Sequence, residues 1–219
     1  MQPILGETRD DFWKPFAEGG RTQEASYKAG VAVFCRANDF ERLDILAEIL
    51  ERPEVPTDQI DTPMIGGFLR LAWTDEPYLD GMRAGNYLTA LERQDGVVRC
   101  VEQFFERWGD AMMTAEEREA LGTFRFPLTV YRGGVGRSRD VMRGSIWTLC
   151  LKEAKFFAVN WPRRWGRKGE PVILLMKVGR SNLFAFFNDS GEQEVVVRNS
   201  PVLARSRAGR VPAKEWPAD

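Results

Sequence analysis

The stretch Gly191-Glu-Gln-Glu-Val-Val-Val197 places two carboxylates, one residue apart, directly before three consecutive valines. Valine is β-branched and favours extended backbone, so the run predicts a β-strand. Residues i and i+2 of a strand project from the same face, which would set Glu192 and Glu194 side by side. Because neighbouring charges are costly to bury, this surface is either a solvated strand edge that discourages aggregation or a site that uses its carboxylates chemically.

The remainder of the chain has the composition of a folded protein. Of its 219 residues, 43% are hydrophobic and 29% are charged, which is typical of a globular protein with a sizeable core. It contains no run of about 18 apolar residues, and its amino-terminal sequence lacks a basic and then apolar leader. We therefore expect a cytoplasmic protein with no membrane partner.

Histidine is absent from the sequence, which excludes His-containing triads, His-metal sites and imidazole acid–base catalysis. The three cysteines, Cys35, Cys100 and Cys150, are widely spaced in apolar surroundings. They are predicted to be reduced core residues and neither a disulfide framework nor a metal site. Chemistry in this chain would rely on carboxylates, arginines, hydroxyls, aromatic rings or a borrowed cofactor, and we expect no metal.

Charge divides the chain into two halves. Residues 1–122 contain 13 Lys and Arg against 24 Asp and Glu, a net charge of −11, whereas residues 123–219 contain 18 against 8, a net charge of +10. Such an asymmetry bears on binding partners. The basic half is expected to attract a phosphate-bearing ligand, RNA or DNA, and the acidic half to act on the basic half or to dock another protein.

Residues 1–122 show helical patterns and predict an all-helical domain. Helices are expected at 10–16, 22–36, 38–52, 57–72 and 85–108, with a short sixth helix capped at Thr114. The aromatic residues of this half are predicted to form its core, among them Trp13, Phe16, Phe34, Phe40 and Phe68.

After Gly122 the hydrophobic period changes, and residues 123–219 predict a β-rich domain with one clear helix. Strands are expected at 128–131, 145–149, 172–178, 183–187 and 194–198, with another near 202–204, and the helix at 151–160. Gly133-Gly-Val-Gly136 is expected to break the first strand, and 161–169 to form a loop. The predicted class is therefore α+β, with a helical domain over 1–122 and a β-rich domain over 123–219.

Three blocks of the β-rich half follow one another in a recognisable order. They are Val130-Tyr-Arg-Gly133, then Gly144-Ser-Ile-Trp-Thr148 with Ala154-Lys-Phe-Phe-Ala158, then Gly191-Glu-Gln-Glu-Val-Val-Val197. Together they resemble the Arg, Ser-x-Ser/Thr and Glu-x-Glu signature of mono-ADP-ribosyltransferases of the toxin-like class. The resemblance covers residues 125–200 and implies a split β-sandwich that uses NAD as co-substrate without a metal.

The resemblance also implies roles for individual residues. Glu194 would bind the ribose and stabilise the cation that forms when the nicotinamide–ribose bond breaks, because that state is oxocarbenium-like. Arg132 would pair with NAD phosphate through its planar fork, and Glu192 would orient or deprotonate the acceptor nitrogen. Gly133 would offer its backbone amide to the nicotinamide carboxamide. The residues assigned to NAD binding are Tyr131, Arg132, Gly133, Ser145, Trp147 and Phe157.

The middle block departs from the signature, because Ile146 stands where the family commonly has serine. In a strand, Thr148 shares a face with position 146, whereas Ser145 points the other way with Trp147. Thr148 is therefore expected to supply the hydroxyl that positions Glu194, and Ser145 is the alternative. Trp147 fits core packing at least as well as cofactor binding.

The resemblance implies an NAD-dependent mono-ADP-ribosyltransferase, and two other functions stay open. An NAD glycohydrolase would pass ADP-ribose to water, and a non-enzymatic binding or adaptor protein would retain only the fold. As acceptor, Glu192 favours a protein arginine. The segment 161–169, with two tryptophans among its cations, favours RNA or DNA, although a solvated connector has the same composition. If the protein is a toxin, an antitoxin would dock on the acidic half. The cations of the segment 161–169 are Arg163, Arg164, Arg167 and Lys168.

Overall fold

The computed structural model divides into two compact units, Met1–Thr114 and Ala115–Asp219. The helix after Thr114 belongs to the second unit, whereas the predicted boundary at residue 122 would place it in the first. The described residues form a mixed α/β protein with seven α-helices and one antiparallel six-stranded sheet, and none of those helices is long and apolar enough to cross a membrane. The structure describes residues 16, 21–37, 45, 46, 49, 61–74, 100–142, 144–164, 166–188, 191–198 and 200–218.

The described part of the first unit is helical, as predicted. Its helices are α1 (Gln23–Arg36), α2 (Thr62–Thr74) and α3 (Cys100–Met112). The side chain of Thr22 caps α1 by accepting a hydrogen bond from the amide of Ala25 at 3.3 Å. Most residues of the predicted helices at 10–16, 38–52 and 85–108 lie outside the described residues.

The core of the first unit contains three of the five aromatic residues that the sequence predicted there. Phe16, Phe34 and Phe68 are at most 6% exposed, and the rings of Phe34 and Phe68 lie 5.4 Å apart. Trp13 and Phe40 lie outside the described residues. Cys35 corrects a prediction, because it is exposed and not a core residue. A helix buries only one side, and α1 uses its neighbour Phe34 for that purpose.

The second unit is built on the sheet. Its strands, in chain order, are β1 (Leu128–Val135), β2 (Ile146–Thr148), β3 (Pro171–Val178), β4 (Leu183–Phe187), β5 (Glu194–Val197) and β6 (Gly209–Arg210). The strand order is β4-β5-β2-β1-β3-β6, and all neighbouring strands are antiparallel. The helices are α4 (Ala115–Thr123), α5 (Ser138–Val141), α6 (Leu151–Arg164) and α7 (Ser200–Arg207).

Helix α6 lies closely on the sheet. Ala154 and Ala158 of α6 form a buried cluster with Ile173 of β3 and with Val211. At Gly133 of β1 the helix is so near that an added Cβ would come within 1.8 Å of the Ala154 carbonyl oxygen. Only glycine fits this contact, which explains a glycine inside a strand.

Three secondary-structure predictions in this unit are wrong, each because of tertiary contacts or local signals that the hydrophobic pattern did not show. Gly133 and Gly134 do not end β1, which continues to Val135 and pairs with β3 along its whole length. Residues 161–164 are the last turn of α6 and not a loop, because the ring of Pro162 is buried near the helix end. Residues 202–204 are helical, since Ser-Pro at 200–201 starts α7.

Candidate functional site

The sheet order brings the three sequence blocks together, because β1, β2 and β5 are adjacent. Tyr131 pairs with Thr148, and Thr148 pairs with Glu194. Directly opposed residues in antiparallel strands project from the same face of the sheet. Tyr131, Thr148 and Glu194 therefore form one row on one face, although they are far apart in the sequence.

Arg132 lies at the place where β1 and β2 separate. Its Nε donates a hydrogen bond to the Val141 carbonyl at 2.8 Å, and its Nη1 donates to the Ile146 carbonyl. The second bond joins a side chain of β1 to the backbone of β2, next to the backbone pair formed by Tyr131 and Thr148. The guanidinium is thus held in a fixed position between the two strands.

Burial and the charge of Glu194 both affect the pKa of Arg132. Burial lowers the pKa of Arg132 to about 10, and the negative charge of Glu194 acts in the opposite direction by raising it. A pKa of about 10 still leaves the guanidinium protonated at neutral pH. The site therefore combines one cation and one carboxylate from two different strands.

Gly144 is a site residue to which the sequence analysis gave no role, although it opens the middle block. A Cβ at this position would lie 1.9 Å from Nη2 of Arg132. Glycine thus makes room for the guanidinium. Its place directly before Ser145 in the motif was the available signal.

The backbone before Glu194 is a tight turn that β2 holds in place. The hydroxyl of Thr148 donates to the Glu192 carbonyl at 2.7 Å and accepts from the amide of Cys150 at 3.0 Å. The amide of Leu149 donates to the Gln193 carbonyl at 3.0 Å. A hydroxyl has one proton to donate, so Thr148 acts on Glu194 through the preceding backbone and not through the Glu194 carboxylate.

This turn corrects the expectation that Glu192 and Glu194 stand side by side in one strand. Strand β5 begins at Glu194, and the residue before it, Gln193, has a φ of +47°. Gly191 has a φ of +78°. The alternation of side chains therefore does not extend back to Glu192. A positive φ outside glycine costs energy and occurs preferentially at functional sites.

The backbone of Gly133 faces the same junction of β1 and β2. The Ile173 carbonyl accepts from the amide of Val211 at 2.9 Å, so the polar backbone groups of Ile173 point away from β1. Gly133 is the register partner of Ile173. Because Ile173 directs its polar backbone groups to the other side, the two residues form a non-hydrogen-bonded pair, and the Gly133 amide also points away from β3. The Gly133 amide accordingly points to the side on which Arg132 meets β2.

The other predicted NAD-binding residues differ in accessibility. Trp147 is only 1% exposed, which favours a role in the core. Tyr131 is half-buried and packs against the cluster under α6. Phe157 is half-buried, with its ring 5.5 Å from that of Phe156. Ser145 precedes β2, and its carbonyl accepts from the amide of Val197 at 2.8 Å.

A buried carboxylate next to the site was not predicted. Glu117 of α4 is 6% exposed and accepts a hydrogen bond from the amide of Asn188 at 2.7 Å. Asn188 directly follows Phe187, which is the β4 partner of Glu194. Glu117 thus fixes the end of the strand beside Glu194. The sequence showed it only as part of a helix-capping pattern.

An open groove of about 720 Å³ lies elsewhere in this unit and includes none of the predicted site residues. Among the described residues, no group of three or more acidic or cysteine side chains is placed to hold a metal ion. The groove is lined by Pro127, Leu175, Met176, Lys177, Gly179, Asn182 and Arg207.

Comparison of the chain with protein-family models, curated proteins and solved structures gave no match.

Proposed function

We propose that the protein is an NAD-dependent ADP-ribosyltransferase that moves ADP-ribose to a macromolecular acceptor and releases nicotinamide. One observation carries the proposal. Arg132, Thr148 and Glu194, one from each block of the signature, lie on three adjacent strands, and the charges of Arg132 and Glu194 interact. The three strands are interior strands of the sheet, which argues against the alternative that these charges only protect a strand edge.

The groups at this junction fit NAD as a substrate. The bonds from Arg132 to Val141 and Ile146 use two of the five N–H groups of a guanidinium. Nη2 lies against Gly144, and the proposal gives it the role of bonding a phosphate oxygen of NAD. The Gly133 amide suits the nicotinamide carboxamide, and Tyr131 supplies an aromatic surface.

The reaction replaces one bond at the ribose by another. The bond between ribose C1′ and nicotinamide N1 breaks, its electron pair leaves with nicotinamide, and an acceptor atom bonds to C1′ after losing a proton. The carboxylate of Glu194 stabilises the positive charge that develops at the ribose. The contacts from Thr148 and Leu149 hold the backbone that precedes Glu194, which limits the reorganisation needed during the reaction.

The contacts of β1 and β2 support the split sheet that the resemblance implies. The two strands pair at Tyr131 and Thr148, and at the next position the Arg132 side chain, in place of a backbone group, bonds to the β2 backbone at Ile146. A gap opened in this way would receive the substrate between the two parts of the sheet.

A non-enzymatic binding protein is the second candidate, and the middle block favours it. Ile146 carries no hydroxyl, and the proton of the Thr148 hydroxyl is donated to the Glu192 carbonyl. Neither residue supplies a hydrogen bond to the Glu194 carboxylate in this arrangement. A protein that keeps the fold without turnover would tolerate such a loss.

The decisive experiment follows nicotinamide release and transfer of label from adenylate-labelled NAD, with total RNA, DNA or cell lysate as acceptor. Glu194→Gln should lower both activities at least ~100-fold, as other single electrostatic deletions do. Glu215→Gln is the control, since Glu215 is exposed and lies in the same unit. Nicotinamide release without label would identify a glycohydrolase. No consumption of NAD by the wild-type protein would reject both enzymes in favour of the binding protein.

A further inference from the structure

Helix α6 carries three aromatic rings in mutual contact. The rings of Phe156, Phe157 and Trp161, here called the aromatic cluster, have centroids 5.5 to 6.3 Å apart. Phe156 is 37% exposed and is one of two large hydrophobic residues that are exposed among those described, the other being Val202. Ala154 and Ala158 of α6 pack on the sheet, and within the aromatic cluster Phe156 is exposed to solvent while Phe157 and Trp161 are half-buried.

Four cations follow the aromatic cluster directly. Arg163 and Arg164 end α6, and Arg167 and Lys168 come just after it; together they are here called the basic stretch. All four are exposed, and no ion pair joins any of them to an acidic residue in the described part of the chain. The Arg167 amide donates to the Pro162 carbonyl at 2.8 Å, which folds the stretch back against the helix end.

We propose that the aromatic cluster and the basic stretch form one binding surface for single-stranded nucleic acid. Exposed rings accept stacked bases of any sequence, and nearby arginines bind the phosphates between them. Trp161 and Arg164 are three residues apart on the helix and are therefore neighbours on its surface. The surface lies in the unit that carries the excess of positive charge. If the proposed function holds, the bound strand is the acceptor of ADP-ribose.

Two other anionic partners fit the surface less well. A membrane would require a large exposed apolar area, yet Phe157 and Trp161 are half-buried and only Phe156 is exposed. A duplex would meet the cations but would hide its bases from the rings. Cations at the end of a helix also interact favourably with its dipole, but this does not account for the exposed ring of Phe156.

Fluorescence anisotropy without NAD tests the binding surface. The probes are a labelled single-stranded 20-mer of dT, the same length of rU, a 20-bp duplex, and vesicles with anionic lipid. We expect the single strands to bind at least tenfold more tightly than the duplex. Phe156→Ala should weaken single-strand binding about fivefold or more with an unchanged salt slope, and Phe156→Tyr, which keeps the ring, should restore it.

The paired change Arg163→Gln with Arg164→Gln should instead reduce the slope of log K against log salt by about 1.4, at about 0.7 per phosphate contact on a single strand. Arg205→Gln with Arg207→Gln and Val202→Ala are matched controls, because these residues are exposed on α7 of the same unit. They should leave binding unchanged. Equal binding of duplex, binding of vesicles alone, or an effect of the α7 controls equal to that of the α6 variants would overturn the proposal.

The acceptor assignment has a separate test. Wild-type protein with labelled NAD should label the single strand, and Phe156→Ala should lose labelling while nicotinamide release in the absence of nucleic acid stays unchanged. Binding without labelling, while nicotinamide is released, would reject the strand as acceptor. Absence of nicotinamide release would reject the proposed reaction and leave the binding surface intact, so the two failures are distinguishable.

Discussion

Glycines serve different purposes in the two units. In the helical unit they allow backbones to touch: an added Cβ would lie 1.8 Å from the Met64 carbonyl oxygen at Gly30 and 2.1 Å from that of Tyr27 at Gly67. In the sheet unit, Gly133 does the same beneath α6, but Gly144 faces the charged end of Arg132.

This contrast distinguishes glycines that allow two elements to pack closely from a glycine that makes room for a side chain of the candidate site. A glycine that meets backbone sets the distance between two elements, which cannot adjust without moving a whole helix or strand. Gly144 meets the end of a long side chain, so its effect is on the position of one charge. Substitution of a packing glycine should therefore lower mainly the stability of the protein, and substitution of Gly144 mainly its NAD affinity.

The largest effects are expected where a new methyl group would strike backbone. Gly30→Ala and Gly133→Ala should each destabilise the protein by about 1–3 kcal/mol or more, because neither obstacle can change rotamer. Gly122→Ala is the control, since nothing lies within 4 Å of its added Cβ. It should be neutral or slightly stabilising in its helix. Urea and thermal unfolding measure all three, and a Gly133→Ala protein as stable as Gly122→Ala would contradict the close contact with α6.

Local patterns were sufficient to predict most elements. The valines before Arg198, the apolar run at 172–178 and the capped helix after Thr22 all have the predicted structure, because their hydrophobic period and propensities agree with their burial. Tyr131, Thr148 and Glu194 form one row because the three strands that carry the sequence blocks are neighbours in the sheet.

The errors arose where a tertiary contact or an unusual backbone angle prevails over local preference. The glycines of β1 were predicted to break the strand, but Gly133 is required by its contact with α6, and residues 161–164 were predicted to be loop although α6 continues through the buried Pro162. The left-handed conformation of Gln193 has no signal in its residue type, so the separation of Glu192 from β5 was not predictable. The enclosure of the Arg132 guanidinium depends on Gly144, which only the fold brings near.

The main effect on NAD affinity, as distinct from stability, is expected at the guanidinium. Arg132→Lys replaces a planar fork by a single ammonium, so it should weaken NAD binding by about 1.5–3 kcal/mol. An ammonium is also poorly shaped to bond both the Val141 and Ile146 carbonyls, which should lower stability. Calorimetric NAD affinity equal to that of the wild type would remove Arg132 from the site.

Gly144→Ala sharpens the same comparison, because it displaces the guanidinium without removing its charge. We expect a smaller loss of NAD affinity than in Arg132→Lys and a smaller loss of stability than in Gly133→Ala. Gly209→Ala is the control, with nothing within 4 Å of its added Cβ. If Gly144→Ala unfolds as readily as Gly133→Ala while its NAD affinity stays at the wild-type value, Gly144 belongs with the packing glycines.

The smallest effect on NAD cleavage is expected at Glu192. The turn that carries it is held through its carbonyl by Thr148, and Glu192→Gln keeps that carbonyl and a side chain able to form hydrogen bonds. Nicotinamide release should therefore change by no more than about ±0.5 kcal/mol, whereas transfer to an arginine-type acceptor should fall because no carboxylate remains to take its proton. Transfer to a nucleobase should be largely retained. Measuring nicotinamide release and acceptor labelling in parallel decides the matter, and an equal loss of both would mean that Glu192 acts on NAD together with Glu194 and not on the acceptor.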